Sequence, residues 1–453
     1  MKISKIEFIK LFGVFDHSIN LNEEGGITII IGENGLGKTV ILEAINALFN
    51  RQYNFFHKIT FEKLIITFDT KDTWSFRKGK QQTNASQLFI TKGANGKNES
   101  KEYLIKDGLP PNISKHDLFK RRMMQREYLR RRNIQFAENI YDSRLIDGSI
   151  INEMDMIERS IWNEHLINEY DSHNDKNVQN PKWFEEALDA INIRLIETQR
   201  IIGRKDLNSD VILNPVEYYS KELKEMIVQA VKESSNVASS LDSTYPNRLI
   251  SELKRGADDS FEELNDALAK LNDRRKLLSS VGLIIDSEDN DLLQIEKNQE
   301  DLITILKIYI DDSHKKLAPF EEISKKIKLF KEIINTRFKH KKLEVTQGEG
   351  ITFKSTVITN RDNKSVNIPS TGLSSGEQNE LILFYKLIFN SQPNDMILID
   401  EPELSLHISW QNKFIEDIKD IISINDLSVI IATHSPDIIS HNWELMIELQ
   451  GVE

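Results

Sequence analysis

The most constraining feature of the sequence is the segment Gly32-Glu33-Asn34-Gly35-Leu36-Gly37-Lys38-Thr39, which matches the pattern G-x-x-x-x-G-K-[ST]. It lies between a strand predicted at Gly26 to Ile31 and a helix predicted at Thr39 to Phe49. The strand is apolar enough to be buried on both faces, and the helix has apolar residues at helical spacing. This order of strand, loop and helix predicts an α/β domain with a phosphate-binding loop.

The glycines of this loop allow the backbone to curl so that consecutive N–H groups point inward, and the helix N-terminus adds a partial positive charge. We expect Lys38 to bridge the β- and γ-phosphates of ATP and Thr39 to ligate Mg²⁺. The predicted ATP-binding residues are Asn34, Gly35, Leu36, Gly37, Lys38, Thr39 and Val40.

A second chemical feature is the apolar segment Met396 to Ile399, which is followed by Asp400, Glu401 and Glu403. Three carboxylates this close repel one another unless a cation or a protonated member relieves the repulsion. Alone, such a cluster is usually a solvated strand end, but together with Lys38 it predicts a magnesium site. We expect Asp400 to hold Mg²⁺ through water and Glu401 to be the base that deprotonates the attacking water.

Composition limits the remaining possibilities. At 453 residues the chain is longer than one ordinary domain, and its 39% hydrophobic content is enough for a sizeable core. No apolar run is long enough for a membrane helix or a signal peptide, and cysteine is absent, so we expect a cytoplasmic protein without thiolate metal sites. The net charge of −12 argues against a general nucleic-acid-binding surface.

Two further segments gain meaning from their order in the chain. Leu373 to Gln378 precedes an apolar helix and alone would be a helix cap, and His434 follows a buried strand and alone would be a core histidine. Because one lies upstream and the other downstream of the acidic strand, the chain resembles ABC-type ATPases, SMC proteins and their relatives. The segments 401–407 (EPELSLH) and 433–436 (THSP) make it most similar to bacterial ATPases related to the OLD proteins, RecF and SMC, and unlike a transporter subunit.

This resemblance implies roles for residues that the sequence pattern alone does not assign. The signature motif, which binds the γ-phosphate held by the opposite subunit, would be Ser374, Ser375, Gly376 and Glu377. The D-loop at the subunit interface would be Ser405, Leu406 and His407. His434 would be the switch histidine, and Gln199, at the end of the predicted strand 194–200, would be the Q-loop residue. The expected catalytic residues are therefore Glu401, His434 and Lys38, and the expected metal-binding residues are Thr39, Gln199 and Asp400.

The predicted fold class is α/β: an ABC-type P-loop ATPase head with an antiparallel β subsheet and a long, mostly helical, coiled-coil-like insertion. Strand-like pieces at Leu64 to Phe68, Trp74 to Phe76 and Leu88 to Thr91 predict the subsheet. In chain order the predicted parts are the N-terminal part of the head (1–100), a helical and basic insertion of unknown role (101–193), the Q-loop strand and exit from the head (194–215), a helical hairpin insertion (216–342) and the C-terminal part of the head (343–453).

Heptad-like spacing occurs twice in the hairpin insertion, at Leu264 to Leu278 and at Phe320 to Ile334. Two antiparallel helices facing each other would explain both patterns, and ordinary core helices would explain them equally well.

The partners follow from the resemblance. With Ser240 to Leu249 included, the chain is similar to ATPase subunits of bacterial anti-phage defence systems, AriA-type in PARIS and PtuA-type in Septu, which hold a Toprim-like or an HNH-like nuclease. OLD-type proteins continue into a Toprim domain, whereas this chain ends at Glu453, 17 residues after Pro436. We therefore expect a homo-oligomeric sensor or scaffold ATPase, slow and used as a switch, that holds a separately encoded nuclease. The pattern does not choose between the two nuclease types.

The leading alternative is a DNA-binding ATPase of repair or recombination, similar to RecF. Residues 120–132 contain seven Lys or Arg in thirteen positions, which is typical of a solvated helix face but would also suit a docking surface for DNA or for an acidic partner.

Overall fold

The computed structural model describes residues 1–22, 25–79, 87–94, 97–105, 180–197, 214–255, 261–284 and 300–451. Gln199, the basic stretch 120–132 and most of the predicted insertion 101–193 lie outside these residues. Within them the chain is a mixed α/β structure with an antiparallel sheet and substantial helix, which confirms the predicted fold class. The division into five parts stays a prediction. Among the helices described, none is both long and apolar enough to cross a membrane.

The described strands form a six-stranded, a three-stranded and a five-stranded sheet. The strands are β1 (Ile3–Leu11), β2 (Phe15–Asn20), β3 (Ile27–Ile31), β4 (Lys63–Phe68), β5 (Asp72–Lys78), β6 (Leu88–Ala94), β7 (Lys97–Ile105), β8 (Ile193–Glu197), β9 (Lys341–Thr346), β10 (Gly350–Thr359), β11 (Ser365–Ile368), β12 (Met396–Asp400), β13 (Ser428–Ala432) and β14 (Met446–Glu448).

The described helices lie between and after these strands. They are α1 (Lys38–Phe49), α2 (Asn54–Lys58), α3 (Lys182–Ala190), α4 (Pro215–Arg255), α5 (Phe261–Ser280), α6 (Glu300–Leu317), α7 (Glu321–Arg337), α8 (Ser375–Phe389), α9 (Ile408–Gln411), α10 (Phe414–Asn425) and α11 (Pro436–Ile439). The predicted strand before the phosphate-binding loop and the helix after it are therefore observed to within one residue.

The five-stranded sheet is parallel, with the strand order β14-β3-β13-β12-β8. Strands β3, β12 and β13 are almost entirely apolar because both of their faces are buried. Strand β13 pairs with β3 on one side and with β12 on the other. The segments that follow these three strands therefore begin side by side at one edge of the sheet, which we call the carboxyl edge.

Side chains alternate between two large hydrophobic cores on the two faces of this sheet, as the period of two in a strand requires. In β13, Val429 and Ile431 enter one core, whereas Ile430 and Ala432 enter the other. Helix α1 and the six-stranded antiparallel sheet complete the second core. Helices α7, α8 and α10 complete the first. Helices α1 and α8 consequently lie on opposite faces of the parallel sheet.

The antiparallel sheet has the order β2-β1-β4-β5-β6-β7 and confirms the predicted subsheet. Strand β7 was not predicted, because most of its sequence (KNESKEYLI) is polar and lacks an apolar alternation. The aromatic side chain of Phe184 in α3 is fully buried, and its ring centroid lies 5.2 Å from that of Trp74 in β5. This contact joins α3 to the strands that precede the predicted insertion.

The two heptad-like patterns face each other only in part, since Leu278 at the end of the first shares a core with Phe320 to Ile334. Leu264 and Leu268 of α5 pack on Ile310 of α6 in a small separate cluster. Phe320 and the apolar residues of α7 pack instead in the core that contains α8. The core-helix alternative is therefore correct for Phe320 to Ile334, because a helix beside a sheet and a coiled-coil helix bury apolar residues at nearly the same spacing.

Helix α4 contains Pro246, which cannot donate a backbone hydrogen bond inside the helix. Near it, Arg248 donates from Nη2 to the Leu241 carbonyl at 2.8 Å. The same guanidinium forms a bidentate pair with the buried carboxylate of Asp312 in α6, at 2.6 and 2.7 Å. Arg248 thereby joins the proline-containing turn of α4 to α6.

A buried ion cluster joins α7, α8 and α10. Arg337 lies with Nε 2.7 Å from Oε1 of Glu380, its Nη2 contacts Asp417, and its guanidinium lies 4.7 Å from the ring centroid of Phe384. One guanidinium compensates only one of two carboxylates. Burial raises the pKa of Glu380, which has no exposed surface, to about 8, although Arg337 opposes this shift. Burial also raises the pKa of Asp417.

Candidate functional site

The candidate site lies at the carboxyl edge, where the segments after β3, β12 and β13 meet. The backbone of Glu401 donates to the Ala432 carbonyl at 2.8 Å, and that of Thr433 donates to the Ile30 carbonyl at 3.1 Å. These bonds extend the pairing of the strands beyond their ends. The predicted phosphate-binding loop, acidic segment and switch segment are thus brought together, although 361 residues separate Thr39 from Asp400.

The loop from Gly32 to Gly37 leads directly into helix α1. Gly37 caps this helix with φ +90°, a conformation that favours glycine, and a Cβ at this position would lie 2.8 Å from Cδ2 of Leu11. The buried Lys38 donates from Nζ to the carbonyls of Gly32 (2.8 Å) and Glu33 (3.2 Å). The lysine therefore lies folded over its own loop, with the ammonium group at the place where the loop would enclose phosphates.

Burial lowers the pKa of Lys38, and the carboxylates of Glu401, Asp400 and Glu403 partly offset this effect. The negative charges near the ammonium group thus lie at the end of β12 and on the segment that follows it. The P-loop and the acidic segment are electrostatically coupled, as the sequence predicts.

The β1–β2 hairpin supports the loop from the side. His17 is buried, and its Nε2 donates to the Leu36 carbonyl at 2.8 Å. Its ring is stacked on Phe15, with 5.7 Å between the centroids and 13° between the planes. Burial lowers the pKa of His17, which favours the neutral ring. No sequence signal predicted this contact, because a single histidine in an alternating strand has no distinguishing pattern.

Thr39 and Asp400 form the link between the P-loop and the acidic strand. Oγ1 of Thr39 donates to Oδ1 of Asp400 at 3.2 Å. Burial raises the pKa of Asp400 to about 6, the Thr39 hydroxyl opposes the shift, and the nearby carboxylates of Glu401, Glu43 and Glu403 add to it. A hydroxyl and a carboxylate held this close are oxygen donors of the kind that Mg²⁺ prefers, and Mg²⁺ usually takes its remaining ligands from water and phosphate. The donor set therefore fits the predicted ion.

His434 lies between Lys38 and Glu401. Its Nδ1 is 3.3 Å from Nζ of Lys38, and its Nε2 is 3.8 Å from Oε1 of Glu401. An ammonium group can only donate, so Nδ1 is the acceptor and Nε2 carries the hydrogen that faces Glu401. Both the histidine and the glutamate side chains are about one-third exposed, with 32% and 29% of their surface accessible. All three predicted catalytic residues therefore lie within reach of one another.

The third carboxylate of the acidic segment, that of Glu403, has no role in the predicted metal site. Its side chain turns to the segment after β13 and accepts hydrogen bonds from the Thr433 hydroxyl (2.7 Å) and the His434 backbone (2.8 Å). The reason is the backbone of Glu401, which adopts φ +46° and ψ +57° and starts a 3-10 turn at Pro402–Leu404. In the part of the chain that the structure describes, no group of three acidic or histidine side chains is arranged to hold a metal.

The predicted signature segment 374–377 begins helix α8 with a capping box. The Glu377 backbone donates to Oγ of Ser374 (3.3 Å), and Oε2 of Glu377 accepts from the Ser374 backbone (2.7 Å). Lys341 also donates to this carboxylate at 2.7 Å, and these donors lower the pKa of Glu377 despite its burial. Ser374, Ser375 and Gly376 are exposed.

The exposed end of α8 does not face the P-loop of its own chain. Arg194, at the amino end of β8, donates to the Asn390 carbonyl at the C-terminus of α8. The N-terminus of α8 therefore points towards the carboxyl edge, but on the sheet face opposite α1. The structure thus places 374–377 at the same edge as Lys38 and on the other side of the sheet.

The predicted D-loop residues have different environments. Ser405 and Leu406 are buried, whereas His407 is exposed and caps α9, with its Nδ1 2.8 Å from Oγ of Ser409. The neighbouring Leu404 and Ile408 have 56% and 65% of their surface exposed. The segment therefore presents apolar side chains to the solvent beside the site.

Gln411 is a second residue that sequence reasoning missed. This buried side chain accepts from Oγ of Ser435 (2.6 Å) and donates to the carbonyls of Leu406 (3.3 Å) and Glu403 (3.4 Å). It lies outside every motif, and only the folding of α9 against the segment after β13 reveals it. The predicted Q-loop residue Gln199 lies outside the described residues.

A model of the AAA ATPase domain family matches residues 1–439 of this chain. Similar solved structures include an Smc head domain with an extended coiled coil, bound to the C-terminal domain of ScpA, from Pyrococcus furiosus (11% identity, TM-score 0.32, 100% of this chain and 94% of that chain covered). Another is the SMC head domain from Thermotoga maritima (10% identity, TM-score 0.31, 100% of both chains covered). No curated protein matches the chain.

Proposed function

Because the chain belongs to the AAA ATPase domain family, we propose that it binds and hydrolyses ATP as an ABC-type head and that two copies complete each site. The observation that carries this proposal is the meeting of Thr39 with Asp400 (3.2 Å) and of Lys38 with His434 (3.3 Å) at the carboxyl edge. A phosphate-binding loop and an acidic strand end in contact are the arrangement that phosphoryl transfer from ATP requires.

Each residue has a chemical task in this proposal. Lys38 exchanges the loop carbonyls for the phosphate oxygens, and the backbone N–H groups of the loop bind the remaining negative charge. Glu401 accepts the proton of the attacking water, and Nε2–H of His434 orients the groups near the γ-phosphate. Thr39 and Asp400 would hold Mg²⁺, whose charge neutralises the phosphates when it is bound.

The exposed segment 374–377 supports the dimer. Its exposed serines and the N-terminus of α8, although closed by the capping box in the single chain, would form an anion-binding end on the sheet face opposite α1. A twofold axis would place this end of each copy over the P-loop of the other. The exposed Leu404 and Ile408 would be covered in the same contact.

The base is tested with Glu401→Gln. This variant should keep its affinity for ATP, because the amide has the shape of the carboxylate and leaves the loop and Lys38 in place. Its steady-state phosphate release should fall by more than about 100-fold. Glu416→Gln, an exposed position on α10, changes the net charge equally and serves as the control. Unimpaired hydrolysis by Glu401→Gln would remove this residue from the base role.

The sharing of sites is tested by mixing two inactive variants, Lys38→Ala and Ser374→Arg. If the sites are composite, mixed dimers contain one intact site, and the mixture should recover about a quarter of wild-type turnover, since half the dimers are mixed and half their sites intact. A mixture that stays inactive would show that each chain uses its own signature segment or that copies do not pair.

We further propose that this ATPase is the sensor or scaffold subunit of an anti-phage defence complex that holds a separately encoded nuclease. The support is the sequence resemblance of the motifs and of residues 240–249, which form part of α4. Copurification of an untagged Toprim-like or HNH-like neighbour at fixed stoichiometry, released or activated with ATP, is the expected result. ATP-dependent duplex binding by the isolated chain at physiological salt, without any such neighbour, would favour the DNA-repair alternative instead.

A further inference from the structure

Glu403 uses both oxygens of its carboxylate to hold the segment that carries His434. Oε2 accepts from the hydroxyl of Thr433 at 2.7 Å, and Oε1 accepts from the backbone N–H of His434 at 2.8 Å. Thr433 has no exposed surface, and its hydroxyl also accepts from the Ser435 backbone at 3.0 Å. The peptide before the imidazole is therefore bound from the side of the acidic segment.

The backbone of Glu403 is itself held by the side chain of Gln411. The buried Gln411 donates to the carbonyls of Glu403 and Leu406, and it accepts from the hydroxyl of Ser435. The turn after β12 and the segment after β13 are consequently joined by contacts at three successive residues, 433 to 435. Such a doubly held segment has little freedom to move the histidine ring.

The ring is the part of this segment that meets the reacting groups. It fills the space between Nζ of Lys38 (3.3 Å) and Oε1 of Glu401 (3.8 Å). A shift of about 1 Å in the peptide 433–434 would move the ring out of contact with Lys38 or with Glu401. Displacements of this size can lower turnover about 100-fold. Turnover therefore requires that the His434 ring be held in this orientation by its neighbours.

We propose that Glu403 is a positioning residue for ATP hydrolysis: it binds no metal or nucleotide, and it sets the His434 ring between the P-loop lysine and Glu401. The inference rests on the proposed hydrolytic function and extends it to a carboxylate that the sequence groups with the metal site. Glu403 acts through the Thr433 hydroxyl and the His434 N–H, so its effect requires the imidazole to be present.

The experiment is a double-mutant cycle between Glu403→Gln and His434→Ala. A glutamine retains one acceptor oxygen but directs an N–H₂ group at a donor, so one of the two bonds is lost. In the wild-type background, Glu403→Gln should lower kcat by about 10- to 100-fold. In the His434→Ala background it should lower kcat no further, and the affinity for a non-hydrolysable ATP analogue should stay unchanged. Glu416→Gln, with the same charge change, should behave as wild type in all three measurements.

Substitution of Thr433 examines the same contact without altering a charge. Thr433→Ser keeps the hydroxyl and should retain turnover, whereas Thr433→Val removes it and should lower kcat in the same His434-dependent way. This pair decides the question if Glu403→Gln does not fold.

Equal effects of Glu403→Gln with and without His434 would overturn the inference while leaving the ATPase proposal intact. If the wild-type chain and Lys38→Ala release phosphate equally slowly, the hydrolytic function itself fails. A crystal structure of Glu403→Gln then decides the positioning claim: a displaced peptide 433–434 and imidazole supports it, and an unmoved ring refutes it.

Discussion

Replacing the buried Glu380 by glutamine should make the stability of this protein less dependent on pH. Burial raises the pKa of Glu380 to about 8 in the folded chain, from 4.5 for an ordinary glutamate. Between these values the folded state keeps a proton that the unfolded state releases. The free energy of unfolding therefore falls as pH rises through this range, by at most about 1.4 kcal/mol per pH unit, and it stops falling above pH 8.

Glutamine has the shape of a protonated glutamate and does not titrate, so the variant lacks this slope. Urea unfolding of both proteins at pH 6, 7 and 8 gives the difference directly. From each pH to the next, the free energy of unfolding of the variant should rise by about 1 kcal/mol relative to that of the wild type. Glu444→Gln, an exposed position away from the cluster, changes the net charge equally and should leave the slope unchanged.

The opposite outcome has a clear meaning. Suppose that the difference in the free energy of unfolding between the two proteins does not change with pH, or that the wild type becomes the more stable one as pH rises. Either result would mean that Glu380 is ionised and paired with Arg337, which lies 2.7 Å away. Arg337→Met gives a second measurement, because it leaves the half-buried carboxylate of Asp417 without its cation and the carboxyl group of Glu380 without its neighbouring donor, and it should cost about 3–5 kcal/mol. A cost below about 1 kcal/mol would refute the described cluster.

Three further substitutions test other parts of the structure. Gly37→Ala should abolish ATP binding at millimolar concentration, measured by calorimetry, and leave the circular dichroism spectrum unchanged. The reason is that the new Cβ would lie 2.8 Å from Leu11 and that φ at this position is +90°. Tight binding would contradict the loop geometry. Arg248→Ala should destabilise the packing of α4 on α6 by about 1–3 kcal/mol, seen as faster amide exchange around Asp312; unchanged exchange would show that the bidentate pair is dispensable. Phe184→Ala should cost about 3–5 kcal/mol in urea unfolding because a fully buried ring is removed, and a loss under about 1 kcal/mol would argue against the docking of α3.

The most local parts of the site could be predicted from the sequence. The loop Gly32 to Thr39 lies between β3 and α1 as expected, and Asp400 and Glu401 end an apolar strand, because buried parallel strands and glycine-rich loops have strong composition signals. The capping box of 374–377 is also readable, since it depends on residues three positions apart.

Helical periodicity was less decisive. Leu264 to Leu278 and Phe320 to Ile334 have the same spacing, yet Leu264 and Leu268 pack against α6, whereas Leu278 and the second helix belong to the core that contains α8. The spacing states which face of a helix is apolar, and it does not state what covers that face.

The residue types, their order and the strand–loop–helix unit that contains Lys38 and Thr39 were thus determined by the sequence alone, because each depends on neighbours within a few positions. Only the tertiary structure decided that Glu403 turns to His434, that His17 and Gln411 support the site, and that 374–377 lies on the sheet face opposite α1. The reason is the direction in which a side chain leaves its backbone. The αL conformation of Glu401 separates two carboxylates that are neighbours in sequence, and strand pairing joins residues that lie hundreds of positions apart.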